Sequence, residues 1–112
     1  RRIWAELVGV VGWMHQRGVV HRDLKLENIL LTTNPLLPPA PAPAPASAVA
    51  PLVKLTDFGL ARAIDPRDPW LTTRCGSESY AAPELLAAGT YGGTYDGRET
   101  DAWALGVVLF AL

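Results

Sequence analysis

The segment HRDLKLEN, residues 21–28, places charged, ionisable and amide side chains between the apolar runs GVV and ILL. Within it, Asp23, Lys25 and Asn28 are two and three positions apart, a spacing that lets their side chains converge on one point of a loop. A carboxylate at that point can orient a hydroxyl or accept its proton. A nearby ammonium can neutralise phosphate charge, and an amide oxygen suits Mg²⁺. These residue types favour a site over a solvated turn.

A second carboxylate, Asp57, stands beside Phe58-Gly59 in the segment LTDFGLA, directly after a predicted strand at 54–56. An aspartate in that position can hold a metal ion. Two carboxylates, an amide and a lysine suit phosphoryl transfer, because that reaction needs positioning and charge neutralisation more than covalent chemistry.

Four motifs follow one another along the chain: HRDLKLEN (21–28), DFG (57–59), AAPE (81–84) and DAWALGVVLFAL (101–112). Each is weak alone, but together and in this order they resemble the catalytic domain of eukaryotic serine/threonine protein kinases. Lys25, two positions after Asp23, is similar to the lysine of the Ser/Thr-specific class. The segments CGSESYAAPELL and YDGRETDAWALGVVLFAL resemble the calmodulin-dependent and AMP-activated kinase branch.

The resemblance implies roles for the motif residues, with ATP and Mg²⁺ as cofactors. Asp23 would be the catalytic base, and Lys25 would contact the transferred γ-phosphate. Asn28 and Asp57 would hold the Mg²⁺ ions that bridge the ATP phosphates. Leu30 would lie under the adenine ring.

Three further residues match supports of the kinase site. His21 and Phe58 match two members of the stacked apolar spine that links the kinase lobes. Asp101 matches the carboxylate that supports the catalytic loop from the helix below it. The resemblance therefore predicts that these side chains lie next to the loop.

Regulation is implied by Arg22, which directly precedes the catalytic aspartate. Kinases with this arginine are commonly switched by a phosphate on the activation segment. Thr73 is the candidate acceptor and Thr72 the alternative, and an upstream activating kinase would supply the phosphate. Its charge would pair with Arg22 and order the segment.

Substrate contacts are implied for two residues. Ser77 matches the hydroxyl that supports Ser or Thr substrates near Asp23. Glu27 matches a position that in some kinases meets a basic residue near the target. We therefore expect protein substrates, with basic residues near the phosphorylated Ser or Thr.

The pattern of elements predicts an α+β fold of the protein-kinase type, a mainly helical C-lobe portion with short strands around the catalytic loop and DFG. Apolar spacing predicts a helix over 1–17 and extended stretches at 19–20 and 29–31. Residues 60–80 read as irregular, Pro83 opens a short helix over 84–88, and GTYGGTYDG reads as a glycine-rich loop. A buried helix is expected over 99–112. The whole chain, 1–112, would be a partial kinase domain with its activation segment at 57–84.

Residues 32–53 carry no charge and seven of the ten prolines, which excludes a helix or a central strand. We interpret this run as an insertion between Asn28 and Asp57 that leans towards polyproline II. Its Pro-x-x-Pro spacing also fits a ligand of SH3 or WW modules, although it lacks a flanking basic residue. A gene-model artefact is the remaining explanation.

The composition excludes several classes of protein. The net charge of −1 gives no reason to expect nucleic-acid binding, and no apolar run is long enough for a membrane span. One cysteine, Cys75, excludes an internal disulfide framework and suits a cytoplasmic or nuclear location. Cys75 and His15 are expected to be structural, the four tryptophans to lie in the core, and Tyr91 and Tyr95 to pack in loops.

The function that we predict is transfer of the ATP γ-phosphate to Ser or Thr of proteins. The 112 residues hold no glycine-rich phosphate loop and no strand lysine paired with a helix glutamate, so we expect them to be inactive alone and marginally folded. The alternative is a pseudokinase or truncated decoy that acts as an interaction module. The intact motif residues argue against that alternative.

Overall fold

The computed structural model describes residues 1–34 and 50–112, which form three helices and six short strands. Short 3₁₀ turns lie at Leu26–Asn28, Phe58–Leu60 and Glu78–Tyr80. The elements in chain order are α1 (Arg2–Gln16), β1 (Val19–Val20), β2 (Ile29–Leu31), β3 (Val53–Leu55), β4 (Arg62–Ala63), β5 (Trp70–Leu71), α2 (Pro83–Tyr91), β6 (Tyr95–Asp96) and α3 (Gly97–Ala111). The predicted α+β composition is confirmed.

Helix α1 follows the predicted apolar stripe and buries Leu7, Val11 and Met14. It gives way at Gly18, whose φ of +69° lies in the left-handed region that favours glycine. A Cβ at this position would stand 2.8 Å from the carbonyl oxygen of Ile64, so glycine is required for two reasons. The chain then turns directly into β1 and the polar loop.

The strands form three antiparallel pairs in the described ranges: β1 with β4, β2 with β3, and β5 with β6. Pairing of Ile29 with Leu55 brings the end of the polar loop next to the segment that leads to Asp57. The backbone N–H of Thr56 extends this pair by donating to the carbonyl of Asn28 over 2.9 Å. The two motifs are therefore neighbours in space.

Two apolar clusters form the core, and the polar loop connects them. One cluster packs α1 against α3 and contains Leu24, and the other surrounds α2 and contains Val20. Both residues are at most 1% exposed. Burial of such side chains stabilises the fold by roughly 1.5–3 kcal/mol each. Apolar packing therefore fixes the chain directly before the loop, at Val20, and in the middle of the loop, at Leu24.

Helix α3 begins at Gly97, two residues before the predicted start, because the Asp96 side chain caps it by accepting from the N–H of Arg98 at 2.9 Å. The expectation that this helix is buried on most sides is wrong for the described residues. Trp103 is 49% and Phe110 94% exposed. Helix α3 carries apolar side chains on all of its faces, but α1 and the polar loop cover only one of these faces.

Several other expected boundaries shift. Strand β3 begins at Val53, so the insertion ends one residue earlier than expected, and its residues 35–49 lie outside the described residues together with the Pro-x-x-Pro motif. Helix α2 extends to Tyr91, within the expected glycine-rich loop, and ends at Gly92 in the left-handed conformation. Parts of the expected irregular region form β4 and β5, since each short strand finds a partner far away in sequence.

The four tryptophans were expected to lie in the core, and this expectation is wrong. Trp13, Trp70 and Trp103 are 55%, 59% and 49% exposed, and Trp4 is only partly buried. The guanidinium of Arg17 stacks 3.8 Å above the ring of Trp13, a cation–π contact on the surface. Within the described ranges, we find no helix with the length and apolar character needed to cross a membrane.

Candidate active site

The polar loop is supported from below by Asp101, a residue of α3 that is 1% exposed. Its Oδ2 accepts the backbone N–H of His21 at 2.8 Å, and its Oδ1 accepts that of Arg22 at 2.8 Å. The Nε2 of His15 lies 2.9 Å from the same Oδ2. Asp101 thus ties the start of the loop to α3 and the end of α1, and His15 has the structural place expected of it.

The contacts of His21 define its tautomer. Its ring is fully buried, Nε2 donates to the carbonyl of Thr56 at 3.1 Å, and Nδ1 accepts the N–H of Asp23 at 3.3 Å. The ring of Phe58 lies 5.0 Å away in a tilted arrangement. This ring contact joins the polar loop to the DFG segment, as the sequence resemblance implied.

Arg22 adopts a positive φ of 66°, which is strained for a residue with a side chain. Such a conformation costs on the order of 1–3 kcal/mol and persists only when its surroundings impose it. The hydrogen bonds to Asp101 impose it here from one side. On the other side Gly76 approaches so closely that a Cβ there would lie 2.4 Å from the Arg22 carbonyl oxygen.

Asp23, Lys25 and Ser77 form a closed cluster at the centre of the site. The N–H and Oγ of Ser77 both donate to Asp23 Oδ1, at 3.0 and 2.8 Å. The Nζ of Lys25 lies 3.0 Å from Asp23 Oδ2 and donates to Ser77 Oγ at 2.9 Å. The three side chains therefore hold one another in a single geometry.

This cluster shifts the pKa of both charged members. Burial alone would raise the pKa of the Asp23 carboxyl, but hydrogen bonds from Ser77 and Lys25 together with the charge of Lys25 outweigh it and hold that pKa below its usual value. The hydrogen bond to Asp23 raises the pKa of Lys25, and the charges of Glu27 and Asp57 add to this effect. Both groups are therefore held in their charged forms.

Asn28 is 6% exposed, and its amide is oriented by Asp23. The Nδ2 donates to the Asp23 carbonyl oxygen at 2.9 Å and to its Oδ2 at 3.4 Å. Because the amide nitrogen is used in this way, the amide oxygen is the group available for a ligand. The predicted convergence of Asp23, Lys25 and Asn28 is therefore observed.

Asp57 is exposed and takes the left-handed conformation, with φ 57° and ψ 72°. Its side chain accepts the N–H of Gly59 at 3.3 Å. The β2–β3 pair places it beside Asn28. Carboxylate and amide oxygens are hard ligands, so this donor set fits Mg²⁺.

A dedicated protein cage for a metal is not found among residues 1–34 and 50–112, since no group of three or more His, Cys, Asp and Glu side chains could hold an ion. Mg²⁺ in phosphoryl-transfer sites is commonly held by one or two protein oxygens together with substrate phosphates. Asn28 and Asp57 are enough for that mode of binding. The residues present therefore fit the cofactor that the sequence resemblance implies.

Comparison with known proteins identifies the family. The sequence matches the protein kinase domain over residues 1–112. The chain belongs to the protein kinase family. This is the family that the order of the four sequence motifs indicated.

Named relatives agree with this assignment. The kinase chain is 40% identical to the serine/threonine-protein kinase ppk27 of Schizosaccharomyces pombe over 99% of its own length and 26% of that protein. It is 41% identical to the serine/threonine-protein kinase PRR1 of Saccharomyces cerevisiae, over its whole length and 21% of the relative. It is also 41% identical to the NUAK family SNF1-like kinase 1 of Mus musculus, over its whole length and 14% of that relative. The chain thus spans about a quarter or less of these relatives.

Two further residues named from the sequence lie in the polar loop, at Glu27, and in β2, at Leu30. Leu30, in β2, is 50% exposed, as a residue that faces a bound ligand would be. Glu27 is exposed and close enough to Lys25 to raise the pKa of that lysine. The roles of both residues stay predictions.

A groove lies next to the cluster of Asp23, Lys25 and Ser77, on the side of Arg22. Its lining consists of Arg22, Arg62, Trp70, Leu71, Thr72 and Thr73. Both threonines are exposed, so their hydroxyls are open to modification. The Nε of Arg22 donates to the Leu60 carbonyl oxygen at 2.7 Å, which holds this guanidinium near the groove.

Tyr95 was expected to be a packing residue of a loop, but it is a 2% exposed strand residue that contacts Arg22 and Thr73 of this groove. Its hydroxyl donates to the Thr73 carbonyl oxygen at 2.7 Å and accepts from Arg22 Nη1 at 3.4 Å. Burial raises the pKa of this tyrosine, so the hydroxyl stays protonated. Sequence reasoning gave neither Tyr95 nor Arg62 a place near Thr73, because their proximity to it depends on the β5–β6 and β1–β4 pairs.

Proposed function

We propose that this chain is the C-lobe core of a serine/threonine protein kinase, which transfers the γ-phosphate of ATP to Ser or Thr hydroxyls of proteins. The observation that carries the proposal is the cluster of Asp23, Lys25 and Ser77, with Asn28 and Asp57 beside it. Phosphoryl transfer needs this combination of a fixed carboxylate, a cation and hard oxygen ligands. The relatives named as serine/threonine-protein kinases support the same class.

Each residue of the cluster has a separate task in this proposal. Asp23 accepts the hydrogen bond of the substrate hydroxyl and orients its oxygen for attack. Lys25 neutralises charge on the transferred phosphoryl group. Asn28 and Asp57 would hold Mg²⁺, which supplies neutralisation of the ATP phosphates when it is bound. Leu30 provides an apolar surface for adenine.

Ser77 and Glu27 are the proposed contacts for the protein substrate. The Oγ of Ser77 lies within hydrogen-bond distance of both Asp23 and Lys25, so it borders the place where a Ser or Thr side chain would enter. Glu27 adds an exposed negative charge nearby. This arrangement favours substrates with basic residues near the target.

Regulation would come from phosphorylation of Thr73 by an upstream kinase, with Thr72 as the alternative acceptor. A phosphate there carries nearly two negative charges and could meet the guanidinium groups of Arg22 and Arg62, which border the same groove. Since Arg22 also abuts Asp23 in the chain, this pairing would stabilise the active arrangement of the loop. The proposed location of the protein is cytoplasmic or nuclear.

The decisive test is an assay of the full-length protein that contains this chain, with ATP, Mg²⁺ and peptides that differ only in carrying Ser, Thr or Tyr. We expect phosphate on the Ser and Thr peptides and little on the Tyr peptide. A matched set with basic or acidic residues near the target tests Glu27. Binding of nucleotide without any transfer would instead identify a pseudokinase that acts through its surface.

The isolated chain is the second arm of the test. We expect no detectable turnover from residues 1–112, since they contain neither a glycine-rich phosphate loop nor the strand lysine and helix glutamate pair. Clear turnover by this chain alone would contradict the expectation that phosphoryl transfer needs those further elements.

A further inference from the structure

Helix α1 carries a carboxylate that holds the backbone where the chain returns from the insertion. The Oε2 of Glu6 accepts the N–H of Leu52 at 2.6 Å and the N–H of Val53 at 3.0 Å. The other oxygen, Oε1, accepts from Arg2 Nε at 2.7 Å. Hydrogen bonds that N–H groups donate to a carboxylate are about twice as strong as those between neutral groups. The Glu6 carboxylate is therefore a firm attachment point for β3.

Two further contacts fix the same stretch of backbone. The Nη2 of Arg2 donates to the carbonyl oxygen of Ala50 at 2.8 Å. From the outgoing side of the insertion, Thr32 Oγ1 donates to the Pro51 carbonyl oxygen at 2.6 Å. We call Arg2, Glu6 and Thr32 the re-entry clamp. The clamp holds residues 50–53 from α1 and from the end of β2.

The position of the clamp matters because β3 is short and leads straight to Asp57. The strand contains three residues, Val53–Leu55, and pairs in one register with β2. A slip by one residue would turn every side chain of β3 to the opposite face. It would also move Asp57 away from Asn28.

The length of the insertion makes such slippage easier. Residues 32–52 separate β2 from β3 in the sequence, whereas a hairpin of this kind needs only a tight turn. Closing a loop about five times longer than a four-residue turn disfavours the paired strands by about tenfold. A polar attachment at the point of return can offset that loss without any contribution from the insertion.

We propose that Glu6 is a positioning residue, which holds β3 in register so that Asp57 stays beside Asn28 whatever the insertion does. Its catalytic consequence rests on the function proposed above, whereas the attachment itself does not. The hydrogen bond from Arg2 and those from Val53 and Leu52 lower the pKa of the Glu6 carboxyl, which keeps the acceptor charged at neutral pH. Arg2 acts through Glu6 and Ala50.

The test uses the full-length protein and the substitution Glu6→Ala, with Glu99→Gln on the exposed start of α3 as the matched control. Alanine is a strong helix former, so α1 itself is preserved. We expect faster amide hydrogen exchange at Leu52 and Val53 and a KM for MgATP raised by about fivefold to tenfold. The KM for the peptide should not change. Glu6→Gln keeps one acceptor oxygen, so its amide exchange and its KM for MgATP should lie between those of the native protein and Glu6→Ala. This variant also allows the test to be made if Glu6→Ala folds poorly.

Shortening the insertion provides the rescue. Deletion of residues 36–48 in the Glu6→Ala background should restore the KM for MgATP, because a short loop holds the register unaided. Failure of the deletion to restore it would show a general structural role and overturn the proposal. Unchanged exchange at Leu52 and Val53 would overturn the clamp even if the protein transfers no phosphate. Faster exchange with an unchanged KM in an active kinase would overturn the positioning of Asp57.

Discussion

The two halves of the candidate site are built in different ways. The polar loop, residues 21–28, is buried at His21 and Asn28, which are 0% and 6% exposed, and is tied to α3 by Asp101. The DFG segment, residues 57–59, is exposed, with Phe58 at 49%. Its described contacts with the loop are the β2–β3 pair, the Thr56 bonds and one tilted ring contact.

This difference indicates where each half obtains its geometry. The contacts that fix Asp23 all come from within the described residues: Asp101 below, Gly76 and Ser77 in front, and Lys25 beside it. Within the same ranges every buried side-chain nitrogen and oxygen has a hydrogen-bond partner. The loop is thus held by several side chains and by helix α3, whereas the DFG half depends on a short strand pair. Perturbations of the two halves should therefore have different signatures.

The largest expected effect is that of Asp23→Asn in the full-length protein. The amide has nearly the same shape but cannot accept a proton, so phosphoryl transfer should fall by roughly 10²–10⁴-fold. Because Asn28 and Asp57 are unchanged, the affinity for MgATP should be retained. Peptide phosphorylation and nucleotide titration measure the two quantities separately. Normal turnover in this variant would mean that Asp23 is not the catalytic base.

Asp101→Ala should remove the support of the loop half. The N–H of His21 loses its acceptor in a buried place, and the N–H of Arg22 and the His15 ring lose theirs in partly buried places. Each buried unsatisfied group costs about 1–3 kcal/mol, so we expect a loss of roughly 3 kcal/mol or more of unfolding free energy. The drop in the thermal midpoint of the full-length protein measures it.

Asp68→Ala is the matched control for Asp101→Ala, since it removes an exposed carboxylate on the surface. Substitutions at exposed positions usually change the free energy of unfolding by less than about 0.5 kcal/mol, which is about one sixth of the loss expected for Asp101→Ala. The thermal midpoint of Asp68→Ala should therefore change little. Equal midpoints in the two variants would contradict the anchoring role of Asp101.

The loop half was predictable from the sequence, and the way it is held was less so. The spacing of Asp23, Lys25 and Asn28 predicts their convergence, because short-range geometry fixes it. Tyr95, by contrast, reaches Thr73 only through strand pairing between residues far apart in sequence. No local pattern encodes such a pairing.

Burial was the other property that the sequence predicted poorly. Apolar residues all round α3 and four tryptophans suggested buried positions, yet Trp103 and Phe110 are exposed. Hydrophobic periodicity shows which residues favour burial, but not whether a partner element is there to cover them. The same reason explains why the helix bounds were within a few residues while the burial expected of α3 was wrong.

Thr73→Ala tests how the groove couples to the loop half. In protein isolated in its phosphorylated form, loss of this acceptor should lower activity by between about 5-fold and 150-fold, the usual range for two coupled sites. Thr72→Ala, a change at the adjacent threonine of the same groove, is the control and should have little effect. The reverse pattern would make Thr72 the regulatory residue, and unchanged activity in both would exclude a phosphate switch here.

Tyr95→Phe should have a smaller effect on the same coupling. It removes a hydroxyl that contacts both Arg22 and the Thr73 carbonyl but keeps the ring in the core. Loss of a typical hydrogen bond costs about 1 kcal/mol, equivalent to roughly a fivefold change. The activity gained on phosphorylation, measured before and after treatment with an upstream kinase, should shrink by that factor. An unchanged gain would show that the hydroxyl serves packing alone.

The smallest effect concerns the start of α3, which carries Asp101. The hydrogen bond and charge of Arg98 hold the pKa of Asp96 below its ordinary 3.8, so the carboxylate is favoured in the folded state. This contribution to stability is fully present above pH 3.8 and is lost as pH falls through the lower, folded-state pKa. Asp96→Asn keeps a helix cap but removes the charge. At pH 6 the variant should therefore have a free energy of unfolding about 0.5–1 kcal/mol lower than that of the native protein, and a lower thermal midpoint. The difference between the two midpoints should narrow towards pH 2. A gap that stays constant with pH would mean that the charge of Asp96 does not stabilise α3.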